Sequence, residues 1–391
     1  MRAAASVYKS RKNPKYMEYT SRKPIDQTLF LVVLILVFFG IMMVFSASYI
    51  QTGRSATFGF NPFFFLQRHS IMATLGAIGM IIMMNFNYRY LEKLATPLYL
   101  ASLGLLLFTA VYGALTNGSR RWIQLFDVQF QPSEIAKVAL ILMLARLLSK
   151  NRRILDRWPG FLFTVSLVGI MSIFVAVGNL STAIIIAVIG FGMIFMASPH
   201  TARFVVFAVV SVAGMLSYLY FMAFLAPPHI GGQFRGGRFL AWIDPFSDSS
   251  YFGFQIINSL YAIASGGLFG LGIGQSRQKE ILPEAHHDII FSIIVEELGL
   301  LGAGIILILF SILIWRGIRI ALATKNDFGS LIAIGVILMI ASQVIINVAV
   351  VTNTIPNTGI PMPFISYGGT ALVTVMGAVG ILLNVSRYAD I

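Results

Sequence analysis

Residues 281–310 read ILPEAHHDIIFSIIVEELGLLGAGIILILF. A long apolar run follows directly on Glu284, His286, His287 and Asp288, and it carries Glu296 and Glu297 in its first turns. Crossing the hydrocarbon of a bilayer takes about 20 predominantly apolar residues in a helix. An ionisable side chain at the centre of such a helix costs roughly 2.5–3.5 kcal/mol on insertion scales. A cluster of this kind at the mouth of a span therefore needs mutual neutralisation or a chemical task.

The pattern of that run recurs along the chain. Apolar stretches near 18 residues or longer lie at about 27–48, 69–86, 95–115, 133–149, 160–177, 180–198, 203–225, 289–315, 329–351 and 368–385. In lipid these must be helices, because every backbone polar group needs a partner inside its own segment. Only 11% of the 391 residues are charged, against about 25% in soluble domains, and mean hydropathy is +0.83. The expected fold class is an all-α polytopic membrane protein with ten transmembrane helices. The first run exceeds the 7–15 apolar residues of a cleavable signal and reads as a retained span. Without cysteine, disulfides and thiolate ligands are excluded.

The net charge of +13 does not point to nucleic acid, because its distribution is one-sided. With both termini cytoplasmic, 19 of the 28 Lys and Arg residues fall on the inner side, as the positive-inside rule requires. Residues 1–24 form a basic cytoplasmic tail suited to anionic lipids, and 25–388 form the membrane domain. Between helices 7 and 8 the reading places a long extracytoplasmic loop, 226–288. Its aromatic residues and glycine-rich SGGLFGLGIGQS (265–276) suit a re-entrant or surface-lying segment. Acidic residues and the remaining cations gather on this outer side. That mixture suits a charged lipid headgroup, and a plain solvated surface has the same composition.

Three motifs sharpen the outer side. In QPSEIAK (131–137) Pro132 and Ser133 mark a helix start, with Ser133 as N-cap and Glu134 in the first turn. Glu134 and Lys137 are three apart and pair on one face. The pair stabilises the span, or it presents Lys137, beside Arg120 and Arg121 of GSRRWI (118–123), to a diphosphate. If the helix starts near Glu284, Asp288, Ser292 and Glu296 share a face, where a carboxylate can act as general base. His286 and His287 would then point about 100° apart, which argues against a dedicated metal site. A Mg²⁺ or Mn²⁺ bridging a carboxylate and substrate phosphates fits better; no covalent cofactor is expected. Glu296 and Glu297 read as interfacial. PFISYGG (363–369) reads as a turn into the last helix, with Gly368 and Gly369 permitting positive φ or close approach. Asn179 in VGNLSTAII (177–185) reads as a helix cap.

GSRRWI, QPSEIAK, the block 253–299 and PMPFISYGGTALV (361–373) together resemble the SEDS family (shape, elongation, division and sporulation), the FtsW, RodA and SpoVE proteins. The resemblance spans nearly the whole membrane region. It implies a peptidoglycan glycosyltransferase that polymerises lipid II on the extracytoplasmic face of the bacterial cell membrane. Asp288 would be the catalytic base for the acceptor 4-hydroxyl, with undecaprenyl pyrophosphate leaving. Lys137, Glu134, Arg120, Arg121, Arg238, His286, Ser366 and Tyr367 would bind substrate. The implied partners are a class B penicillin-binding protein and other divisome membrane proteins. PEAH and PFISYGG favour FtsW, or the sporulation paralogue, over RodA. Two departures stand out: GNLST where many members have PDLGT, so Asn179 replaces a carboxylate, and HHD where HTD is commoner. A lipid II flippase is the competing reading; it would line a path through the bilayer with polar groups, and mid-span ionisable groups are few here.

Overall fold

The computed structural model describes residues 23–116, 119–125, 128–198, 232–248, 253–282 and 284–390, with scattered positions between 203 and 221. The expected basic tail up to residue 22, most of the expected seventh span and the first part of the 226–288 loop lie outside the described residues. The long helices are α1 (Gln27–Arg54), α2 (Phe64–Asn85), α3 (Arg89–Tyr112), α4 (Pro132–Lys150), α5 (Trp158–Gly178) and α6 (Leu180–Ala197). After the shorter α7 (Gly232–Ile243) and α8 (Phe254–Gly266) come α9 (Ile290–Ala323), α10 (Asp327–Val351) and α11 (Gly369–Ser386). Nine of the ten expected spans thus coincide with helices. Eight of these are long and apolar enough to cross a membrane by length and composition. The remaining one, α4, carries Glu134, Lys137, Arg146 and Lys150.

The packing explains how charged groups enter this bundle. Asp26 caps α1, accepting from Leu29 N at 2.9 Å, and its other carboxylate oxygen holds Arg316 of α9 at 2.5 Å. At the same end Lys23 and Lys325 meet Asp390 at 2.7 and 2.6 Å, and Lys23 N donates to Arg387 O. The two described ends of the chain therefore share one end of the bundle, as an even number of crossings requires. Toward the middle, α2 lies along α11, α3 along α4 and α9 along α10. Their shared faces bury Val, Ile, Leu and Met, while the outward faces of α2, α3 and α5 remain apolar and exposed, as lipid-facing surfaces do.

Two features depart from the expectation. The structure is not purely helical: β1 (Ala114–Thr116), β2 (Ser119–Leu125) and β3 (Val128–Phe130) form a small antiparallel sheet in the order β1-β2-β3. The sequence between Thr116 and Ser119 is Asn-Gly, the strongest short-range hairpin signal, and 116–132 is accordingly not a plain loop. Second, α9 is broken at Gly299, whose φ of 69° and ψ of −176° belong to a region essentially reserved for glycine. The segment 267–272 seals the break. Leu271 N and Gly272 N donate to the freed carbonyls of Glu296 and Glu297 at 2.9 Å, and Leu300 N donates to Gly267 O at 2.9 Å. A Cβ at position 299 would sit 2.3 Å from Leu268 O. Gly299→Ala is therefore expected to lower the unfolding free energy by at least the about 1–3 kcal/mol of such strain, read as a lower thermal midpoint in detergent; an unchanged midpoint would show that the break is not required.

Candidate active site

Asp288 stands just before α9, not within it. Residues 284–288 form turns, Glu284 taking a φ of 54° and accepting from His287 N at 2.9 Å. The helical face expected for Asp288, Ser292 and Glu296 thus does not form, because the helix begins only at Ile290. What fixes Asp288 is its main chain. Asn347 of α10, 1% exposed, donates one amide group to Asp288 O at 2.7 Å and to Ile360 O at 2.8 Å. Asp288 as a residue is partly exposed, while its carboxyl is enclosed by protein. Beside it Gly359 has a φ of 64°, and a Cβ there would lie 3.4 Å from Asp288 Oδ2. Gly359→Ala would add left-handed strain and crowd the carboxylate. Were Asp288 the reacting group that the resemblance implies, turnover would fall about 10–100-fold, the scale of a small misplacement, with substrate binding little changed; wild-type turnover would refute the contact.

The surroundings set the acidity of Asp288. Burial raises its pKa above the usual carboxylate range; His287, the residue's own backbone N–H and Arg238 pull the pKa down, and Glu284 pushes it up. The net direction is upward. Arg238 is itself shifted down by burial and by Arg121, with Asp288 opposing. Asp288, His287, Arg238 and Arg121 therefore form one electrostatic group drawn from the α9 approach, α7 and β2.

Behind this group lies an aromatic wall. His286 is 2% exposed, its ring 4.0 Å from Phe65 and 5.5 Å from Tyr367. Tyr367 N donates to His286 O at 2.9 Å, joining the Asp288 turn to the 361–368 turn. Burial, then His287 and His69, hold the His286 imidazole well below its usual pKa, so it is neutral at pH 7. The Tyr367 hydroxyl is pushed up by burial while Arg68 opposes the shift. Ser366 is committed to the turn, its hydroxyl oxygen accepting from Met362 N at 2.7 Å. Gly368 has an extended φ of −168° and precedes α11; the positive φ falls on Phe364 instead, whose ring is buried against Phe310.

The remaining expected cations are partly committed. Lys137 and Glu134 are both buried and form an ion pair at 2.8 Å, without the alignment of a hydrogen bond. Arg120 donates to Val111 O at the end of α3. Ser133 does not cap α4: the N-cap is Gln131 and Pro132 takes the first turn, where its missing N–H costs nothing and its φ suits the helix. Asn179 caps α6, accepting from Thr182 N at 3.1 Å.

Sequence reasoning missed several residues and misplaced two. Asn347 and Gly359 carry no local signal, since each acts on a residue far away in the chain. Arg68 was legible as a cation retained on the outer side. Glu296 and Glu297, expected at the interface, are both 0% exposed. Glu297 accepts from Ser46 and pairs with Lys279 at 2.9 Å; Lys279 also donates to Gly274 O at 2.7 Å. Glu296 accepts from Ser276 Oγ, Arg277 N and Gln278 N. The clamp closes the 266–280 segment against α9. Among the described residues no group of three or more His, Asp or Glu could hold a metal. Asp288 and Glu284 supply carboxylate oxygens of the kind a divalent cation takes together with substrate phosphates.

An apolar bundle with Asp288, His287, Arg238 and Arg121 grouped beside the start of α9 defines a multi-pass membrane protein with a candidate site at a helix end. The chain belongs to the FtsW/RodA/SpoVE family, whose profile, described as "Cell cycle protein", matches residues 26–391. It is 41% identical over 377 residues to Stage V sporulation protein E of Bacillus subtilis (strain 168), covering 95% of this chain and 99% of that protein. It is 37% identical over 368 residues to the probable peptidoglycan glycosyltransferase FtsW of Geobacter sp. (strain M18), covering 92% and 96%. Its fold matches a chain from a structure described as "Structural coordination of polymerization and crosslinking by a peptidoglycan synthase complex", with a TM-score of 0.76, 28% identity and 93% and 98% coverage.

Proposed function

We propose that this protein is a peptidoglycan glycosyltransferase that polymerises lipid II on the extracytoplasmic face of the cell membrane during division. The observation that carries the reading is Asp288: a carboxylate on a partly exposed turn, pinned through its main chain by Asn347 and electrostatically joined to Arg238. In the reaction its oxygen takes the proton of the acceptor 4-hydroxyl as that oxygen bonds to the donor anomeric carbon. The bond from that carbon to the diphosphate breaks, and undecaprenyl pyrophosphate leaves with the electron pair. A raised pKa makes Asp288 a stronger base than an ordinary carboxylate, and general-base help of this kind is worth about 10²–10⁴ in rate. Arg238 and Arg121 oppose the charge that develops on the leaving group, and Lys137 supplies a third cation once substrate competes with Glu134. His286, Ser366 and Tyr367 support the pocket wall. A Mg²⁺ or Mn²⁺ would be held by Glu284 and would screen the phosphate charge, leaving the Asp288 carboxylate free as the base.

The partner on this reading is a class B penicillin-binding protein, which the coordination of polymerisation with crosslinking in the similar complex supports. The test is lipid II polymerisation by purified protein with that transpeptidase and divalent cation. Glycan ladders are expected; none under any combination would overturn the enzymatic reading. For the division role, depletion in the native host should give filaments without septa. Normal septation with lost rod shape or a defective spore envelope would reassign the role within the family.

A further inference from the structure

The end of the bundle away from Asp288, where α9 finishes at Ala323 and Lys325 meets Asp390, carries a cluster that the proposed reaction does not use. Between α4 and α5, residues 150–158 read KNRRILDRW. Arg152–Asp156 form a short 3₁₀ helix, which Arg152 ties to Asp327 of α10 at 3.0 Å and which Leu155 anchors by full burial. Arg153 and Arg157 are exposed, and among the described residues neither has a carboxylate partner. Arg203 arrives from a later segment. Its guanidinium donates to Leu155 O at 2.8 Å and Asp156 O at 3.1 Å and lies 4.9 Å from the centroid of the Trp158 ring. Five N–H donors on a guanidinium leave Arg203 three more. These three cations face one carboxylate of the same stretch, Asp156. Trp158 itself is 53% exposed. One turn further along α5 Leu162 and Phe163 are exposed, as are Val205 and Val206 beside Arg203. The cations thus cap an apolar surface of the kind that lipid tails cover, with a tryptophan at the boundary where its amphipathic ring is favoured. An occupant must be anionic at the cap and apolar below it, and a phospholipid is both. The positive-inside rule accounts for cations in such a loop. It does not account for a guanidinium brought from another segment onto an exposed indole.

We propose that the α4–α5 connection and Arg203 form a binding site for an anionic phospholipid of the surrounding leaflet. Its phosphate sits among Arg153, Arg157 and Arg203, and its acyl chains run along Leu162, Phe163 and Val205 with Trp158 at the level between. Occupation fastens the segment at Arg203 to the start of α5. The site lies at the opposite end of α4 from Lys137 and does not rest on the glycosyltransferase reading.

The experiment places the full chain in phosphatidylcholine nanodiscs and adds phosphatidylglycerol or phosphatidylcholine with brominated acyl chains, which quench tryptophan fluorescence on contact. The Trp158 component is the difference between wild type and Trp158→Phe. It should be half quenched at a lower mole fraction of the brominated phosphatidylglycerol than of the brominated phosphatidylcholine. Arg153→Gln and Arg157→Gln should each raise that phosphatidylglycerol fraction about fivefold, the effect of one cation near an anionic lipid surface, with an unchanged thermal midpoint in pure phosphatidylcholine. Arg319→Gln, at the same end of the bundle beside Trp315, should leave the Trp158 signal as in wild type. Equal quenching by the two lipids would overturn the site. An effect of Arg319→Gln as large as that of Arg157→Gln would replace it with diffuse surface charge. Displacement of the brominated lipid by an equal amount of water-soluble glycerol 3-phosphate would overturn the lipid assignment in favour of a soluble phosphate. Lipid II polymerisation without headgroup selectivity at Trp158 would sink this inference alone; selectivity without polymerisation would sustain it and sink the enzymatic reading.

Discussion

Replacing Asp288 with asparagine is expected to reduce lipid II polymerisation about 10²–10⁴-fold while leaving the protein as stable as before or more so. Both halves follow from the same environment. Burial raises the pKa of Asp288 in the folded state, so the native protein binds that proton more tightly than the unfolded chain does. Between the two pKa values stability then falls as pH rises, and at neutral pH the buried charge is a net cost that asparagine removes. Activity has the opposite dependence. The base must be ionised, so the acid limb of kcat/KM should fall at a pH above the ordinary carboxylate range, as Asp288 becomes protonated. A variant that polymerised at the normal rate, or an acid limb at the usual carboxylate pKa, would remove Asp288 from the role. A collapse of the thermal midpoint in Asp288→Asn would contradict the stability argument.

The second large effect belongs to the buried clamp. Lys279 and Glu297 are 1% and 0% exposed at the side chain and 2.9 Å apart, so removing one leaves an unpaired buried charge. Glu297→Gln is expected to destabilise by about 3–5 kcal/mol, because among the described residues the Lys279 ammonium then keeps Gly274 O and the Tyr49 ring and loses its counter-charge. The double variant Lys279→Met with Glu297→Gln should recover much of that loss, since replacing both charges is far cheaper than stranding one. Thermal unfolding of the two single variants and the double variant checks this. Equal stability of Glu297→Gln and wild type would mean that water reaches the pair.

These two predictions also show where the sequence was readable. Apolar length placed nine helices to within several residues, because a bilayer leaves the backbone no alternative to internal pairing. Charge distribution led to the expectation that Asp288, Arg121, Arg238 and Lys137 share the outer side. It did not give their mutual arrangement. The helix expected from Glu284 starts six residues later, since Asn347 and Tyr367 fasten the intervening turn from distant parts of the chain. Gly299 reads as one more glycine in an apolar run, and only the pairing partner 267–272 reveals it as a break. Glu296 and Glu297 looked interfacial because adjacent carboxylates ordinarily seek water; here Ser46, Ser276, Lys279 and backbone amides replace it. The sheet was overlooked because its strands are of three to seven residues and sit among much stronger helical signals, although the Asn-Gly after Thr116 signals its hairpin.

Asn347 gives the site a mechanical character. One amide group grips the peptide of Asp288 and that of Ile360, the neighbour of Gly359. A displacement of α10 would thus carry the carboxylate and its flanking turn together, as a tool moves with its handle. Force applied to that helix would alter how far the Asp288 carboxylate protrudes while sparing the spacing within the pair.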